Sequence, residues 1–165
     1  MRERSDEALM KAFAGGSMEA FEYLYQRHRS ELYRYVLRGC GNPTTANDLF
    51  QGAWEKVIRA RDQYRSKVPF RAWLYRIAHN HLVDYFRRLK PTDERPLEDL
   101  AASAPGPDQQ AAADARAKRL KQAIERLPGE QKDAFLLKLE GGLGIDEIAA
   151  VTGVNRETAK SRLRY

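Results

Sequence analysis

The stretch GIDEIAAVTGVNRETAKSRLRY, residues 144–165, predicts a helix-turn-helix motif. Ile148 and Ala149 fall where two helices would cross closely, and Gly153 permits the sharp turn between them because glycine adopts positive φ angles readily. Asn155 is suited to cap the second helix, since its side chain can accept a backbone N–H bond. In motifs of this kind the second helix enters the major groove of DNA.

The second helix of this motif divides its residues between two faces. Val154, Ala159 and Leu163 are apolar and are predicted to face inward. The 3.6-residue period turns a polar set outward: Arg156, Glu157, Lys160, Ser161 and Arg164. Side chains of these types can bond guanine edges and phosphates. The pattern favours sequence-specific DNA binding, and an ordinary surface helix after a glycine turn stays as the alternative.

Three upstream segments carry apolar side chains at three-and-four spacing, which is typical of amphipathic helices. In the first, which Ser17 can cap, they are Phe21, Leu24, Tyr25, His28, Leu32, Tyr35 and Val36. In the second, set apart by chain-breaking Gly39, Gly41 and Pro43, they are Ala46, Leu49, Phe50, Ala53, Trp54, Val57 and Ile58. In the third, from about 70 to 88, they are Trp73, Leu74, Ile77, Ala78, Leu82, Tyr85 and Phe86. We expect a bundle, with SDEALMKAF (5–13) as a further short helix.

Residues 91–115 separate this bundle from the C-terminal helices. They contain four of the seven prolines, and one basic residue against six acidic ones, whereas residues 54–90 have ten basic residues against three acidic ones. Two more helices are predicted at about 116–127 and 129–140, divided at Pro128. No β-type alternation persists. The sequence therefore predicts an all-α protein with two small helical domains, 1–90 and 116–165, joined by a flexible linker, 91–115.

Composition limits the functional classes. The net charge is +6 and the isoelectric point is near 9.5, which favours a polyanionic partner. A mean hydropathy of −0.68 and an N-terminus without an apolar run predict no membrane span and no secretory signal, hence a cytoplasmic protein. Cys40 is the only cysteine, and His79 and His81 point to different helix faces, so we expect no disulfide, metal or cofactor.

The segment YRSKVPFRAWLYRIAHNHLVDYFRR, residues 64–88, interleaves aromatic and cationic side chains. That mixture suits single-stranded nucleic acid, which needs base stacking and phosphate neutralisation together. The same spacing also allows several of the aromatic rings, Trp73, Tyr85 and Phe86 among them, to lie in the core. Composition leaves both interpretations open.

Three motifs resemble the sigma-70 family of RNA polymerase sigma factors and occur in the family's order. AWLYRIAHNHLVDYFRR (72–88) resembles the promoter-melting region, DLFQGAWEKVIRA (48–60) the polymerase-docking helix, and AAVTGVNRETAKSRL (149–163) the reader of the upstream element. With no room for a middle domain, the arrangement is similar to the extracytoplasmic-function (ECF) group, which keeps the second and fourth sigma domains. The resemblance covers roughly residues 17–90 and 116–165.

The resemblance implies a non-catalytic protein that binds bacterial core RNA polymerase and promoter DNA and is held inactive by an anti-sigma factor. The implied polymerase-docking residues are Asp48, Leu49, Phe50, Gln51, Trp54 and Glu55. Those implied for recognition and melting of the minus-10 element are Tyr64, Lys67, Phe70, Arg71, Trp73, Arg76, Asn80, Arg87 and Arg88. The outward residues of the helix-turn-helix are implied to read the minus-35 element. Tyr165 falls within that helix, which the family usually extends by further basic turns, and this leaves the strength of minus-35 binding open.

Two properties of the implied assignment have plainer alternatives. The acidic linker is implied to run through polymerase channels, where its charge imitates nucleic acid, but it also fits a solvated spacer. Leu49, Phe50 and Trp54 also fit a core, with Asp48, Gln51 and Glu55 on the opposite face. Two other functional classes are a stand-alone helix-turn-helix regulator, normally a dimer on a palindrome, and a nucleic-acid-processing enzyme with clustered carboxylates. A stand-alone regulator leaves the aromatic third helix unexplained. For an enzyme, the sequence shows no apparent cluster of carboxylates.

Overall fold

The structure is a computed structural model that describes residues 3–89, 111–125 and 129–164. Within these ranges the regular structure is entirely helical, which confirms the predicted all-α class. The predicted flexible linker falls largely outside the described residues, as do Pro128 and Leu127. Its last five residues belong to a helix that begins at Ala111, because the run AAADA is rich in alanine, the strongest helix former.

The N-terminal unit, residues 3–89, contains four α-helices and a short 3-10 turn. They are α1 (Asp6–Ala14), α2 (Met18–Cys40), α3 (Pro43–Arg59), the 3-10 turn (Arg61–Gln63) and α4 (Phe70–Leu89). As predicted, the Ser17 hydroxyl accepts a 3.1 Å bond from the Ala20 N–H and caps α2. Asn42 caps α3 in the same way through the N–H groups of Thr44 and Thr45.

The core of the N-terminal unit follows the predicted stripes with a few exceptions. Ile58, predicted on the buried face of α3, is exposed, and Phe86, for which the sequence left core and surface open, is exposed too. Phe70 and Tyr75, which the stripe omitted, are fully buried, because the inward face of α4 is wider than one apolar stripe. Gly39 does not break α2 but lies inside it. A Cβ there would stand 2.9 Å from Leu82 Cδ1, so glycine permits the close approach of α2 and α4.

The remaining helices are α5 (Ala111–Glu125), α6 (Gly129–Leu139), α7 (Ile145–Thr152) and α8 (Arg156–Leu163). We call residues 129–164 the C-terminal unit. Its helix-turn-helix has the predicted construction: Ile148, Ala149 and Ala159 are buried, and Gly153 adopts a left-handed φ of 75°. The Asn155 side chain accepts a 2.8 Å bond from the Thr158 N–H and caps α8.

The two units contact each other. Helices α2 and α4 of the N-terminal unit pack against α6 and α7 of the C-terminal unit. Tyr35 of α2, fully buried, donates a 2.7 Å hydrogen bond from its hydroxyl to Asp133 Oδ1 of α6. The described structure is therefore closed, with apolar and polar contacts across the junction.

Candidate polymerase and nucleic-acid interfaces

The predicted docking motif on α3 presents two different faces. Asp48, Gln51 and Glu55 are all exposed, and the 3.6-residue period places them on one side of the helix. Leu49 and Trp54 are buried on the other side. The polar face is therefore the part of the motif that a partner can reach.

Trp54 belongs to an aromatic cluster on the inner side of α3 rather than to the accessible polar face. Its ring lies 5.8 Å from that of Phe21, 5.1 Å from Tyr25 and 6.4 Å from Phe50, measured between centroids. Its indole Nε1 is buried and has no hydrogen-bond partner among the residues that the structure describes. Leu49 and Trp54 hold the helix to the core, and Phe50 is half-buried, so the direct contact of these three with polymerase stays a prediction.

The loop before α4 and the first turn of that helix bring three aromatic rings together. Tyr64, Phe70 and Trp73 have pairwise centroid separations of 5.0 to 6.1 Å. Tyr64 and Trp73 are half-buried, and the Tyr64 hydroxyl closes the loop by donating to the Val68 carbonyl. Phe70 is fully buried. Its ring packs against the other two, and its contact with DNA stays a prediction.

The cationic and amide residues predicted for this interface are accessible to solvent. Those on the loop and on α4 are Lys67, Arg71, Arg76, Asn80, Arg87 and Arg88. Arg87 is paired with Asp84 at 3.6 Å, an exposed contact that offers weak competition for a phosphate. The helix therefore combines half-buried aromatic rings near its start with exposed cations along its length.

Two acidic residues of α1 hold this interface in place, and sequence reasoning did not identify them. Glu7 Oε2 accepts a 2.7 Å bond from the Phe70 N–H and so caps α4 across 63 positions of chain. Asp6 contacts Arg27 Nη1 and His28 Nε2, each at 2.9 Å. No pattern within a single helix predicts a cap between residues so far apart in sequence. The only feature of the sequence that could have indicated this cap is the pair of acidic residues in the first turn of the short helix α1.

The electrostatic environment of these groups is unusual for surface residues. Burial opposes ionisation of Asp6, but the bonds and charges of His28 and Arg27 outweigh it and hold its pKa below the ordinary value. Burial, with the nearby charges of Glu7 and Asp6, raises the pKa of Tyr64 to about 12. Tyr64 therefore keeps its proton, and its bond to Val68, throughout the physiological range.

Helix α8 and Arg164, which caps its end, present the whole predicted reading face to solvent. The exposed residues are Arg156, Glu157, Lys160, Ser161 and Arg164. Arg162, which the prediction omitted, points instead toward α6, where Nη2 lies 3.6 Å from Glu130. Arg156 Nε lies 3.5 Å from Asp146 of α7, an exposed contact. The helix thus offers a basic face and is fixed to its unit by Ala159 and these ion pairs.

The part of the chain that the structure describes contains no group of three or more histidine, cysteine or acidic residues arranged to hold a metal ion. His81 bonds the Ile77 carbonyl through Nδ1 at 3.0 Å, while His79 faces Asp133. Among the same residues no helix is both long and apolar enough to cross a membrane.

Comparison with known proteins identifies both units. The family Sigma-70 region 2 matches residues 24–92, and Sigma-70, region 4 matches residues 117–164. The ECF RNA polymerase sigma factor SigM of Mycobacterium tuberculosis is 33% identical over 160 residues, which are 97% of this chain and 80% of SigM. The RNA polymerase sigma factor CnrH of Cupriavidus metallidurans is 31% identical over 98% of this chain and 90% of its own.

Solved structures share the fold. CnrH in complex with the cytosolic domain of CnrY matches with a TM-score of 0.71 and 25% identity, over 98% of this chain and 91% of that one. The sigma factor RpoE of Bartonella quintana, solved with the anti-sigma factor NepR, matches with a TM-score of 0.70 and 23% identity, over 87% and 89%. Both regions follow in order, and the relatives match across most of their length: the chain belongs to the sigma-70 family, as an ECF RNA polymerase sigma factor.

Proposed function

We propose that this sigma factor docks on core RNA polymerase through the polar face of α3 and holds two promoter elements with different units. The N-terminal unit binds the minus-10 element with α4 and the loop at 64–69. The C-terminal unit reads the minus-35 element with α8. The observation that carries the proposal is the exposed face of α8, the second helix of the helix-turn-helix. Its charged and hydroxyl side chains are of the types that bond base edges.

Promoter opening follows from differential binding. Half-buried Tyr64 and Trp73 offer ring faces to an unstacked base, and the cations of α4 neutralise the phosphates of the separated strand. A contact made only with unpaired DNA offsets part of the unpairing energy, a few kcal/mol, and shifts the equilibrium toward the open form. The fully buried Phe70 keeps Trp73 in place for this stacking.

The chain performs no reaction in this scheme and works in the cytoplasm, where polymerase and promoter DNA are found. The melting step uses binding energy alone, so it requires no nucleotide hydrolysis by the sigma factor. An anti-sigma factor is a further proposed partner, supported by the likeness to RpoE, which was solved with the anti-sigma factor NepR. Purification of the chain from its own cells should then recover an inhibitor that suppresses transcription when added back.

Promoter-specific transcription with purified core polymerase tests the assignment of surfaces. Asp48→Ala/Gln51→Ala should abolish initiation, because the docking face loses a charge and an amide while the buried side of α3 is unchanged. Glu19→Ala/Gln26→Ala, which removes the same two groups from exposed positions on α2, is the matched control. Equal activity of the two double variants would contradict docking through α3.

The recognition helix is tested on the same template. Arg156→Ala/Lys160→Ala should weaken initiation from the matching minus-35 sequence by about tenfold or more, since each good base contact contributes about 1–3 kcal/mol. Arg116→Ala/Lys118→Ala removes two exposed cations from α5 and controls for charge alone. Duplex binding by the chain without any engagement of core polymerase would favour the stand-alone regulator instead.

A further inference from the structure

Gly52 lies well inside α3, at a position where glycine is an unfavourable residue. Glycine weakens the interior of a helix relative to alanine, because the unfolded chain has more conformational freedom to lose at that residue. Gly52 is not among the glycines with a positive φ angle, so no left-handed turn requires it here. The space around the residue supplies a reason instead.

That space is filled by the imidazole ring of His81 on α4. A Cβ on residue 52 would stand 3.1 Å from His81 Cδ2 and 3.2 Å from Nε2, closer than ordinary van der Waals contact. The other edge of the ring is fixed, because Nδ1 bonds the Ile77 carbonyl at 3.0 Å. A carbonyl only accepts, so Nδ1 is the donor of this bond. The Cδ2–Nε2 edge therefore rests on the glycine.

The Gly52–His81 contact lies between the two surfaces that are proposed to bind polymerase and promoter DNA. On α3, the 3.6-residue period places Gly52 on the same side as Asp48, one turn before it. On α4, His81 directly follows Asn80 and precedes Arg88 by two turns, and both of these exposed residues are predicted to bind the minus-10 element. The contact is thus close to both surfaces and belongs to neither.

The geometry lets a change at this contact act on the whole of α4. Helices α3 and α4 pack along each other, and a ring that rests on bare backbone allows a closer approach than two side chains would. The ring is tied to its own helix at Ile77, so a push at its free edge moves the α4 backbone as well as the side chain. Close-packed interiors transmit such a displacement instead of absorbing it.

We propose that His81 is a positioning residue for promoter opening: by resting on Gly52, it sets the distance and angle between the docking helix α3 and the DNA-binding helix α4. This inference rests on the proposed function, because it takes α3 as the helix that meets polymerase and α4 as the helix that meets the separated strand. The placement of the DNA-binding side chains relative to polymerase then depends on the sizes of the two residues in contact.

Substitutions that change those two sizes test the proposal, with core polymerase and a promoter fragment carrying both elements. Gly52→Ala should slow promoter opening roughly tenfold, within the range of coupling between residues in contact, because the added methyl pushes the ring and α4 with it. His81→Ala removes the spacer without pushing and should slow opening less. In Gly52→Ala/His81→Ala the methyl no longer meets a ring, so opening should recover to the level of His81→Ala. The reactivity of unpaired thymines toward permanganate measures opening.

Two further measurements separate positioning from a loss of fold or of docking. Affinity for core polymerase should be unchanged in all three variants, because the polar face of α3 keeps its side chains. The urea midpoint of Gly52→Ala should stay near that of wild type, since the helix propensity of alanine offsets the strain at the ring. Gly129→Ala is the matched control: no described atom lies within 4 Å of the added Cβ, and opening should equal that of wild type.

Several results would overturn the positioning role. These are wild-type opening by Gly52→Ala, a double variant that is folded but as slow as Gly52→Ala, and a fall in affinity for core polymerase or in urea midpoint that accounts for the loss of opening. Failure of the wild-type chain to bind core polymerase or to open any promoter is a different result. It would refute the proposed function, and the positioning role with it, before any variant is compared.

Discussion

Helices α4 and α8 are both assigned to DNA, yet they are held in the molecule in opposite ways. Seven residues of α4 are buried: Phe70, Ala72, Leu74, Tyr75, Ile77, Ala78 and Leu82. In the eight-residue α8 only Ala159 is buried. Helix α4 is therefore part of a core that also carries a nucleic-acid surface, whereas α8 is a surface helix positioned by its neighbours.

This difference decides how mutations should be interpreted. In α4 a change that disturbs packing also moves the aromatic rings and cations on the outer face, so stability and promoter opening fall together. In α8 most side chains can be changed without affecting the core, so DNA recognition can be altered alone. Both tryptophans, Trp54 and Trp73, lie in the N-terminal unit, and their fluorescence reports the unfolding of that unit.

The largest expected effect is a difference in stability between truncating a buried side chain of α4 and truncating a partly buried one of α8. Leu74→Ala removes a fully buried side chain and should destabilise the N-terminal unit by about 2–5 kcal/mol, from lost burial and the cavity left behind. Leu163→Ala, at a partly buried position of α8, should destabilise its unit by about 1 kcal/mol. Urea unfolding, followed by tryptophan fluorescence and circular dichroism, measures both. Equal losses would remove the contrast between the helices.

The next effect concerns the long-range cap of α4. Glu7→Ala deletes the acceptor of the Phe70 N–H and should cost about 1.5–3 kcal/mol, as expected for a hydrogen bond to a charged group. It should also weaken binding of single-stranded minus-10 DNA by the polymerase complex, because the loop at 64–69 loses its anchor. Glu7→Gln keeps an acceptor oxygen and should recover most of both losses. Glu3→Ala, at an exposed position, is the control, and identical behaviour of Ala and Gln variants at position 7 would contradict the cap.

A smaller effect is expected at the start of α8. Asn155→Ala removes the side-chain bond to the Thr158 N–H and should destabilise the helix by about 1 kcal/mol, which is roughly a fivefold faster amide exchange within α8. Ser17→Ala removes the same kind of bond from α2 and should leave exchange in α8 unchanged. A change of exchange in α8 with the Ser17 variant would mean that the helix depends on the N-terminal unit more than its contacts indicate.

Sequence reasoning succeeded where short-range physics decides the structure. The caps at Ser17 and Asn155, the turn at Gly153 and the outward face of α8 each depend on residues within one or two helical turns of each other. The same holds for the all-α class. A period of 3.6 residues is enough to predict which residues of a surface helix face water, because one face is polar throughout.

It failed where several helices compete for one side chain. Phe70 and Tyr75 lie off the main stripe of α4, but rings of α2 cover them: His28 lies tilted against Phe70 and Tyr35 meets Tyr75 edge-on, each at 5.4 Å between centroids. The Tyr75 hydroxyl also bonds the Glu140 carbonyl of the C-terminal unit. The docking role of Trp54 stays a prediction, but the rings that surround it come from α2 as well as α3, and the pattern of one helix could not predict them. The acids Asp6, Glu7, Asp133 and Glu140 act on residues distant in sequence, and periodicity within one helix carries no information about such partners.

The smallest effect is a dependence of stability on pH that belongs to the N-terminal unit alone. The folded-state pKa of Asp6 is lowered, so its contribution is present above the unfolded value, about 3.9, and is lost as the pH falls through the folded value. Asp6→Asn should therefore reduce the fall of the urea unfolding midpoint with decreasing pH below about pH 4. Asp62→Asn, at an exposed position, is the control and should leave that dependence of the midpoint on pH unchanged. Urea midpoints from pH 6 to pH 3, read by tryptophan fluorescence, test this, and parallel curves for wild type and Asp6→Asn would rule it out. The effect is modest because Arg27 and Asp6 remain partly exposed to solvent, which screens their attraction.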